Sequence, residues 1–374
     1  MKIEYTQSKK LPEFWPLHWA FAQPMLRFNP LFRRLCGLET RLVHHRLKPV
    51  HDPVYICGLA RSGTTITLEI LNSHPDVASF CYGDMVQPWL PFAWNRIAGG
   101  LFLNRAPVQE RPHGDGLVMA QNRPEAVEEI FWQQAFSHVH DEKKSGVLDA
   151  ASFNSAFNGF YKNQIAKLLL AKAKTRYLAK ANYHVTRLAY LKRMFPRGRF
   201  IILVRHPLGQ MVSYLKQQER LTRLYRSDPR WWEIARELGH FEFGDQMQFI
   251  NAGNGEMVGR IRALWEADRR IEAFGWYWQS IYAHLHQTVT QDPDLMRSCL
   301  FIRYEDLCHQ SAAVIDTLLD HCRLDRNLFR DQRQKFVRTL HLPDYYSARI
   351  SGEEKKCLND ITSDTAALFG YKNH

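Results

Sequence analysis

The chain has 374 residues, 45% of them hydrophobic and 24% charged, an ordinary globular composition with material for a full α/β core. Lys+Arg 50 against Asp+Glu 38 gives a net charge of +12 spread along the chain, either a solvated basic surface or one that attracts anions. No zinc-finger spacing, Arg-rich arm or interleaved aromatic platform accompanies that charge, so nucleic acid is not an expected partner.

The first elements are aromatic and basic. Residues 14–35 set Phe14, Trp15, Trp19, Phe21, Leu26, Phe28 and Phe32 beside Arg27, Arg33 and Arg34. This leader is expected either to pack on the core or to make peripheral contact with a membrane, and prolines at 16, 24 and 30 are expected to break any long helix across it. Leu31, Leu35, Leu38 and Leu42 near helical spacing predict a helix over 31–47, so that 1–50 forms a leader packed on the rest. Val54 to Cys57 then reads as a buried strand, and a loop leads into a helix through Ile66, Leu68, Ile70 and Leu71 that stops at Asn72-Ser73-His74-Pro75. A strand over Val77–Phe80 runs into Tyr82-Gly83-Asp84.

From about 85 to 175 the pattern is irregular, with helices expected near 123–138 and 156–173. Such a segment between strands of an open sheet usually covers its carboxyl edge, where ligands bind. A strand at Arg176–Ala181, a helix from His184 to Phe195 and a strongly apolar strand at Arg199–Arg205 follow, and Pro207 opens the next helix. Residues 221–260, with Trp231-Trp232 and Gly239-His240-Phe241-Glu242-Phe243-Gly244, read as a second insertion. One helix through Trp265, Phe274 and Trp278, a last strand at Cys299–Tyr304 and closing helices over 308–340 complete the order. Strands alternating with helices predict an α/β, P-loop-NTPase-like three-layer sandwich with a central parallel sheet over 51–374. The aromatics of 86–102 and 231–278 serve either a pocket or the core.

No segment approaches the ~20 apolar residues that span a bilayer, and the N-terminus lacks the charged, apolar, small order of a signal peptide. Seven scattered cysteines, none spaced Cys-x-x-Cys, predict reduced thiols and a cytoplasmic setting. No metal-ligand spacing occurs, so no metal is expected. Oligomeric state leaves no mark in the sequence.

The chemistry concentrates in Gly58-Leu59-Ala60-Arg61-Ser62-Gly63-Thr64-Thr65. Glycines let successive N–H groups point into one concavity, and the helix that follows adds its positive end, so the loop suits a phosphate. Gly58-x4-Gly63 is Walker A spacing, but Thr64 stands where the nucleotide lysine belongs. Arg61 sits inside the loop instead, which favours an anhydride other than magnesium–ATP. A second anion site follows: Arg205 ends a strand and Ser213 lies eight residues on, where guanidinium and hydroxyl can share a phosphate.

These motifs resemble the sulfotransferases that use 3′-phosphoadenosine 5′-phosphosulfate, in their bacterial-type branch. The phosphosulfate loop is similar to Arg61-Ser62-Gly63-Thr64-Thr65, and the 3′-phosphate motif to Arg205-x-Pro207 with Ser213. Arg303-Tyr304-Glu305-Asp306-Leu307 and Lys180-Ala181-Asn182-Tyr183-His184 before Phe195-Pro196 resemble two further segments, in an order that covers about 50 to 325. The resemblance implies a donor site of Arg61, Ser62, Gly63, Thr64, Thr65, Arg205, Ser213 and Tyr304, the last against adenine, with Arg61 and Lys180 stabilising the moving group. Cytosolic members carry a catalytic histidine where this chain has Asn182, and their C-terminal Arg-Lys-Gly motif is replaced by Arg349-Ile350-Ser351-Gly352.

The proton acceptor is then expected to be Asp84, where the protein-tyrosine branch carries a glutamate base, with His184 as the runner-up. The expected acceptor is a hydroxyl or amine of a small molecule, carbohydrate or lipid, with sugar, lipid, phenol and peptide all open. A P-loop kinase or NTPase, or a non-catalytic anion-binding scaffold of the same fold, are the rival readings.

Overall fold

The computed structural model describes residues 16–98, 109–110, 118–120, 122–149, 151–342 and 350–372. The strands are β1 (Val54–Cys57), β2 (Val77–Ala78), β3 (Gln109–Glu110), β4 (Val118–Met119), β5 (Arg176–Lys180), β6 (Arg199–Val204) and β7 (Cys299–Arg303), and β1, β5, β6 and β7 have apolar centres, with charged residues only at the ends of the last three. Five of them make one sheet in the order β2-β5-β1-β6-β7, and every pairing in it is parallel. β3 and β4 form a separate antiparallel pair. Ile56 pairs with Lys180 and Cys57 with Ile202, so β1, β5 and β6 end side by side. From central β1 the chain goes to β2 on one side, and after β5 it crosses to β6 on the other. Loops leaving β1 and β6 therefore diverge and open a crevice at the carboxyl edge.

Alternation along β1 divides the core. Val54 and Ile56 join Leu68 and Leu71, together with Ile315 and Leu318 from the helix at Ser311–Cys322. Tyr55 and Cys57 face the other way, with Trp132, Trp278 and Tyr282. Among the helices are α1 (Pro16–Val43), α2 (Thr64–Asn72), α3 (Glu129–Ala135), α4 (Ser155–Lys172), α5 (Pro207–Ser227), α6 (Arg270–Gln291) and α7 (Gly352–Ala367), with others between. Helices on both faces of a parallel sheet are the expected three layers.

Several boundaries differ from the sequence pattern. The prolines do not break α1, which runs unbroken from Pro16. Pro16 occupies the first turn, where no N–H is needed, and Pro24 and Pro30 are far enough apart to leave whole turns between them. The aromatic side chains of 14–28 lie outside the described residues. The helix through Trp265 and Trp278 is two helices, Gly255–Glu266 and α6, because Asp268 turns the chain at φ +57°. α5 continues to Ser227, so the second insertion starts later than 221. Trp89, Trp132, Trp265 and Trp278 are buried and serve the core.

Candidate active site

The loop after β1 is shaped by close contacts. At Gly58, φ +146°, a Cβ would stand 2.5 Å from the Leu203 carbonyl oxygen and 2.7 Å from Ser62 Oγ. At Gly63, φ +101°, it would stand 2.4 Å from the Tyr304 ring. Arg61 adopts φ +72°, uncommon for a residue with a Cβ, and this turns the backbone in the middle of the loop. α2 then starts at Thr64 with Gly63 as its N-cap and no side chain capping it. A helix start without a side-chain cap is one that can receive an anion. Ser62 and Thr64 are buried in the turn, and Thr65 lies half-buried on the first turn of α2.

α5 brings the second motif to the first. Arg61 Nε donates to Ser213 Oγ at 2.9 Å, and Arg205 Nη1 donates to the Arg61 carbonyl at 3.1 Å. Gln210 Nε2 donates to the carbonyls of Leu59 (3.3 Å) and Ala60 (3.0 Å), while its Oε1 accepts the Trp278 indole N–H at 3.0 Å. The turn Arg205-His206-Pro207 is braced from below. Glu305 Oε1 accepts the His206 N–H at 3.1 Å, and Tyr371 donates to Glu305 Oε2 at 2.6 Å. Two motifs about a hundred and fifty residues apart in sequence thus form one hydrogen-bonded assembly. Gln210 and Tyr371 are members that motif reading misses, since neither stands in a motif.

Tyr304 is placed differently from its expected contact with adenine. Its ring lies beneath the loop, against Gly63, with the Arg205 guanidinium 4.6 Å from its centroid, and it is 9% exposed. It supports the arginine. Of the substitute C-terminal motif, Arg349 lies outside the described residues, and Ser351 caps α7 by accepting the Glu354 N–H at 3.2 Å.

A second cluster stands at the end of β5. Lys180 Nζ is 3.8 Å from Glu125 Oε1, whose carboxylate also accepts the Tyr82 hydroxyl at 2.6 Å and the Ala126 N–H at 2.8 Å. Asn182 Nδ2 donates to Glu242 Oε1 at 2.9 Å, and Glu242 Oε2 lies 3.7 Å from His240 Nδ1, an ion-pair separation longer than a hydrogen bond. Burial works against a charged His240 ring. The adjoining Glu242, helped by Glu125, outweighs both burial and the opposing charge of Lys180, so the pKa of His240 is raised. Glu242 is burdened by burial too, and His240 with Lys180 holds its carboxyl low. Glu125, His240 and Glu242 come from the two insertions; sequence reasoning gave them no role.

The two expected bases are elsewhere. Asp84 is 3% exposed, and its carboxylate takes the Cys81 N–H at 2.8 Å, Lys172 Nζ at 2.9 Å and Asn95 Nδ2 at 2.7 Å. All of this closes the turn after β2 and leaves no side open to an acceptor. His184 is fully buried: Nε2 lies 2.8 Å from Glu128 Oε1, and the ring packs edge-on against Tyr55 and Trp132. Glu128 Oε2 accepts from Tyr161 and Tyr177, so the histidine belongs to an internal network. Asp84→Asn is accordingly expected to destabilise the fold by about 1–3 kcal/mol, the cost of an unsatisfied buried polar group, with turnover per folded molecule unchanged. Urea unfolding and a rate normalised to folded protein check both halves.

Among the described residues, no group of three or more His, Cys, Asp or Glu could hold a metal ion, and no helix is long and apolar enough to cross a membrane. None of the seven cysteines is in a disulfide. A model of the sulfotransferase family matches residues 53–252, more than half of the chain, and that span contains both anion motifs and the Lys180 cluster. The chain belongs to the sulfotransferase family. No curated protein sequence matches it. Sulfotransferase STF9 from Mycobacterium avium superposes with a TM-score of 0.52 at 16% identity, over 87% of this chain and 78% of that one, which shows a shared fold. Sulfotransferase STF1 from Mycobacterium tuberculosis is structurally similar at TM-score 0.45 and 13% identity, over 89% and 86% of the two chains. A sulfotransferase from Alicyclobacillus acidocaldarius gives 0.41 and 10%, over 85% and 93%. This sulfotransferase carries its loop, its 205/213 arm and Lys180 at one sheet edge.

Proposed function

We propose that this sulfotransferase moves a sulfuryl group from 3′-phosphoadenosine 5′-phosphosulfate to a hydroxyl or amine of a small-molecule, carbohydrate or lipid acceptor, without a metal, in the cytoplasm. The observation that carries the reading is the joining of a lysine-free phosphate loop to Arg205 and Ser213 through Arg61. The residues fit that donor: the uncapped start of α2, reached through the left-handed turns at Arg61 and Gly63, suits its 5′-phosphate, and the 205/213 arm suits its 3′-phosphate.

The acceptor oxygen bonds to sulfur as the bond from sulfur to the bridging phosphate oxygen breaks, and that electron pair stays on the phosphate. Arg61 and Lys180 offset the charge developing there. The acceptor's proton goes to His240 Nε2, with Nδ1 turned to Glu242. Glu125 is less suited to that task, because its two oxygens already face Lys180, the Ala126 N–H and the Tyr82 hydroxyl.

Adenosine 3′,5′-bisphosphate is expected to bind far better than ADP. Arg205→Ala should weaken the former by about 1.5–3 kcal/mol, the range for hydrogen bonds to charged groups, and hardly touch the latter. Calorimetry with both nucleotides decides it. Equal affinities would remove the donor assignment, and turnover of ATP that needs magnesium would replace it with a kinase or NTPase. Donor binding without sulfuryl transfer to any acceptor would leave a scaffold.

A further inference from the structure

The leucines whose spacing predicts α1 are not the residues that dock it. Cys36, Glu39 and Val43 face the core at 4%, 6% and 7% exposure. Glu39 Oε2 lies 2.8 Å from the buried Lys167 Nζ, and Glu39 Oε1 accepts the Ala93 N–H at 2.7 Å. Leu31, Leu38 and Leu42 are 51%, 52% and 76% exposed, and Leu35 between them is half-buried. At 3.6 residues per turn these four side chains fall in a sector about 60° wide, about a quarter turn from the docked face. A continuous apolar stripe left in water needs a partner, whereas singly exposed leucines do not.

The charge around the stripe selects that partner. Arg34 and Arg41 are exposed along its far flank, and exposed His44, His45, Arg46 and Lys48 continue past the helix end. Glu39, the one acidic residue between 30 and 50, is turned inward to Lys167. A second copy of this helix would bring arginines against arginines with no carboxylate to receive them, on a chain of net charge +12. Anionic lipid headgroups supply the missing charge, and the acyl boundary supplies the apolar phase.

We propose that the Leu31–Leu42 face of α1 docks on an anionic lipid surface, with the leucines at the acyl boundary and Arg34 and Arg41 on headgroups. The helix lies in the interface and does not cross it. The inference is independent of the sulfuryl-transfer reading, because it is read by binding alone.

The test is sedimentation of the full chain with vesicles of phosphatidylcholine alone and with about 30% phosphatidylserine, a content that gives the surface its negative potential. Binding to the anionic vesicles that falls as salt rises is expected, with little binding to the neutral ones. Leu38→Glu with Leu42→Glu, and separately Arg34→Glu with Arg41→Glu, should each cut binding by about tenfold or more. Both variants should keep the parent's melting temperature and its turnover of a water-soluble acceptor, since the changed side chains are exposed and outside the site. Absence of binding, equal binding to neutral vesicles, or variants that bind as the parent does would overturn the proposal. So would a dimer, seen by analytical ultracentrifugation without lipid and lost in the leucine variant, since a second copy would then be the occupant.

Discussion

Lys180→Ala is expected to lower turnover by about a hundredfold or more at saturating donor, as does removal of a preorganised donor that acts on transition-state charge. Lys180 ends β5 beside β1, whose register sets it opposite Ile56, two residues before the phosphate loop. Glu125 holds the ammonium at 3.8 Å and is itself held by two donors, so the lysine is oriented before any substrate arrives. A cation placed there gains most when negative charge gathers on the bridging oxygen, which happens in the transition state and not in the bound donor. Affinity for adenosine 3′,5′-bisphosphate should therefore change little while kcat collapses. Arg61→Ala is expected to lose turnover similarly and to weaken donor binding as well, because Arg61 Nε also fixes Ser213. Single-turnover rates with calorimetric affinities separate the two. Normal turnover in Lys180→Ala would withdraw its charge-stabilising role.

The loop and the Arg205/Ser213 arm proposed for the donor are legible as motifs because their parts are short and local. A strand, glycines at fixed spacing and a helix start are consecutive in sequence, and Arg205 to Ser213 is again one strand end and one helix. The cluster proposed for the acceptor side is built otherwise. Glu125, Lys180, His240 and Glu242 lie on three separate stretches, and two of those are insertions with no repeating pattern. Position after a strand suggested Asp84 and His184, yet position does not say which way a side chain turns. Asp84 folds back on its own turn and on Lys172, and His184 turns inward to Glu128. The same limit applies to α1. Leucine periodicity finds the C-terminal part of α1 and not its start at Pro16, and a buried ion pair, Glu39 with Lys167, decides which face docks. Buried charges need a partner more strongly than leucines need cover, so the ion pair wins the orientation.

The base assignment carries the largest expected loss. His240→Ala should reduce kcat by 10²–10⁴-fold with an unactivated alcohol as acceptor, the usual range for removing a general base, and much less with an acidic phenol that sheds its proton unaided. Only the neutral ring can take a proton, and the structure raises the pKa of His240 above the usual ~6.5. Activity should thus fall as pH drops through that raised value, and the acid limb should sit above about 6.5. Glu242→Gln removes the main group that favours the charged ring, and the burial that remains disfavours it. The limb is then expected to move to lower pH, with some loss of rate as the ring loses its orientation. A merely structural role for Glu242 would lower the rate without moving the limb. Added imidazole should partly restore His240→Ala, as a diffusing base enters the space the ring leaves. Should His240→Ala keep full activity on alcohols, or its acid limb stay where the parent's is, the proton goes elsewhere, and Glu125, 3.8 Å from Lys180, becomes the group to test next.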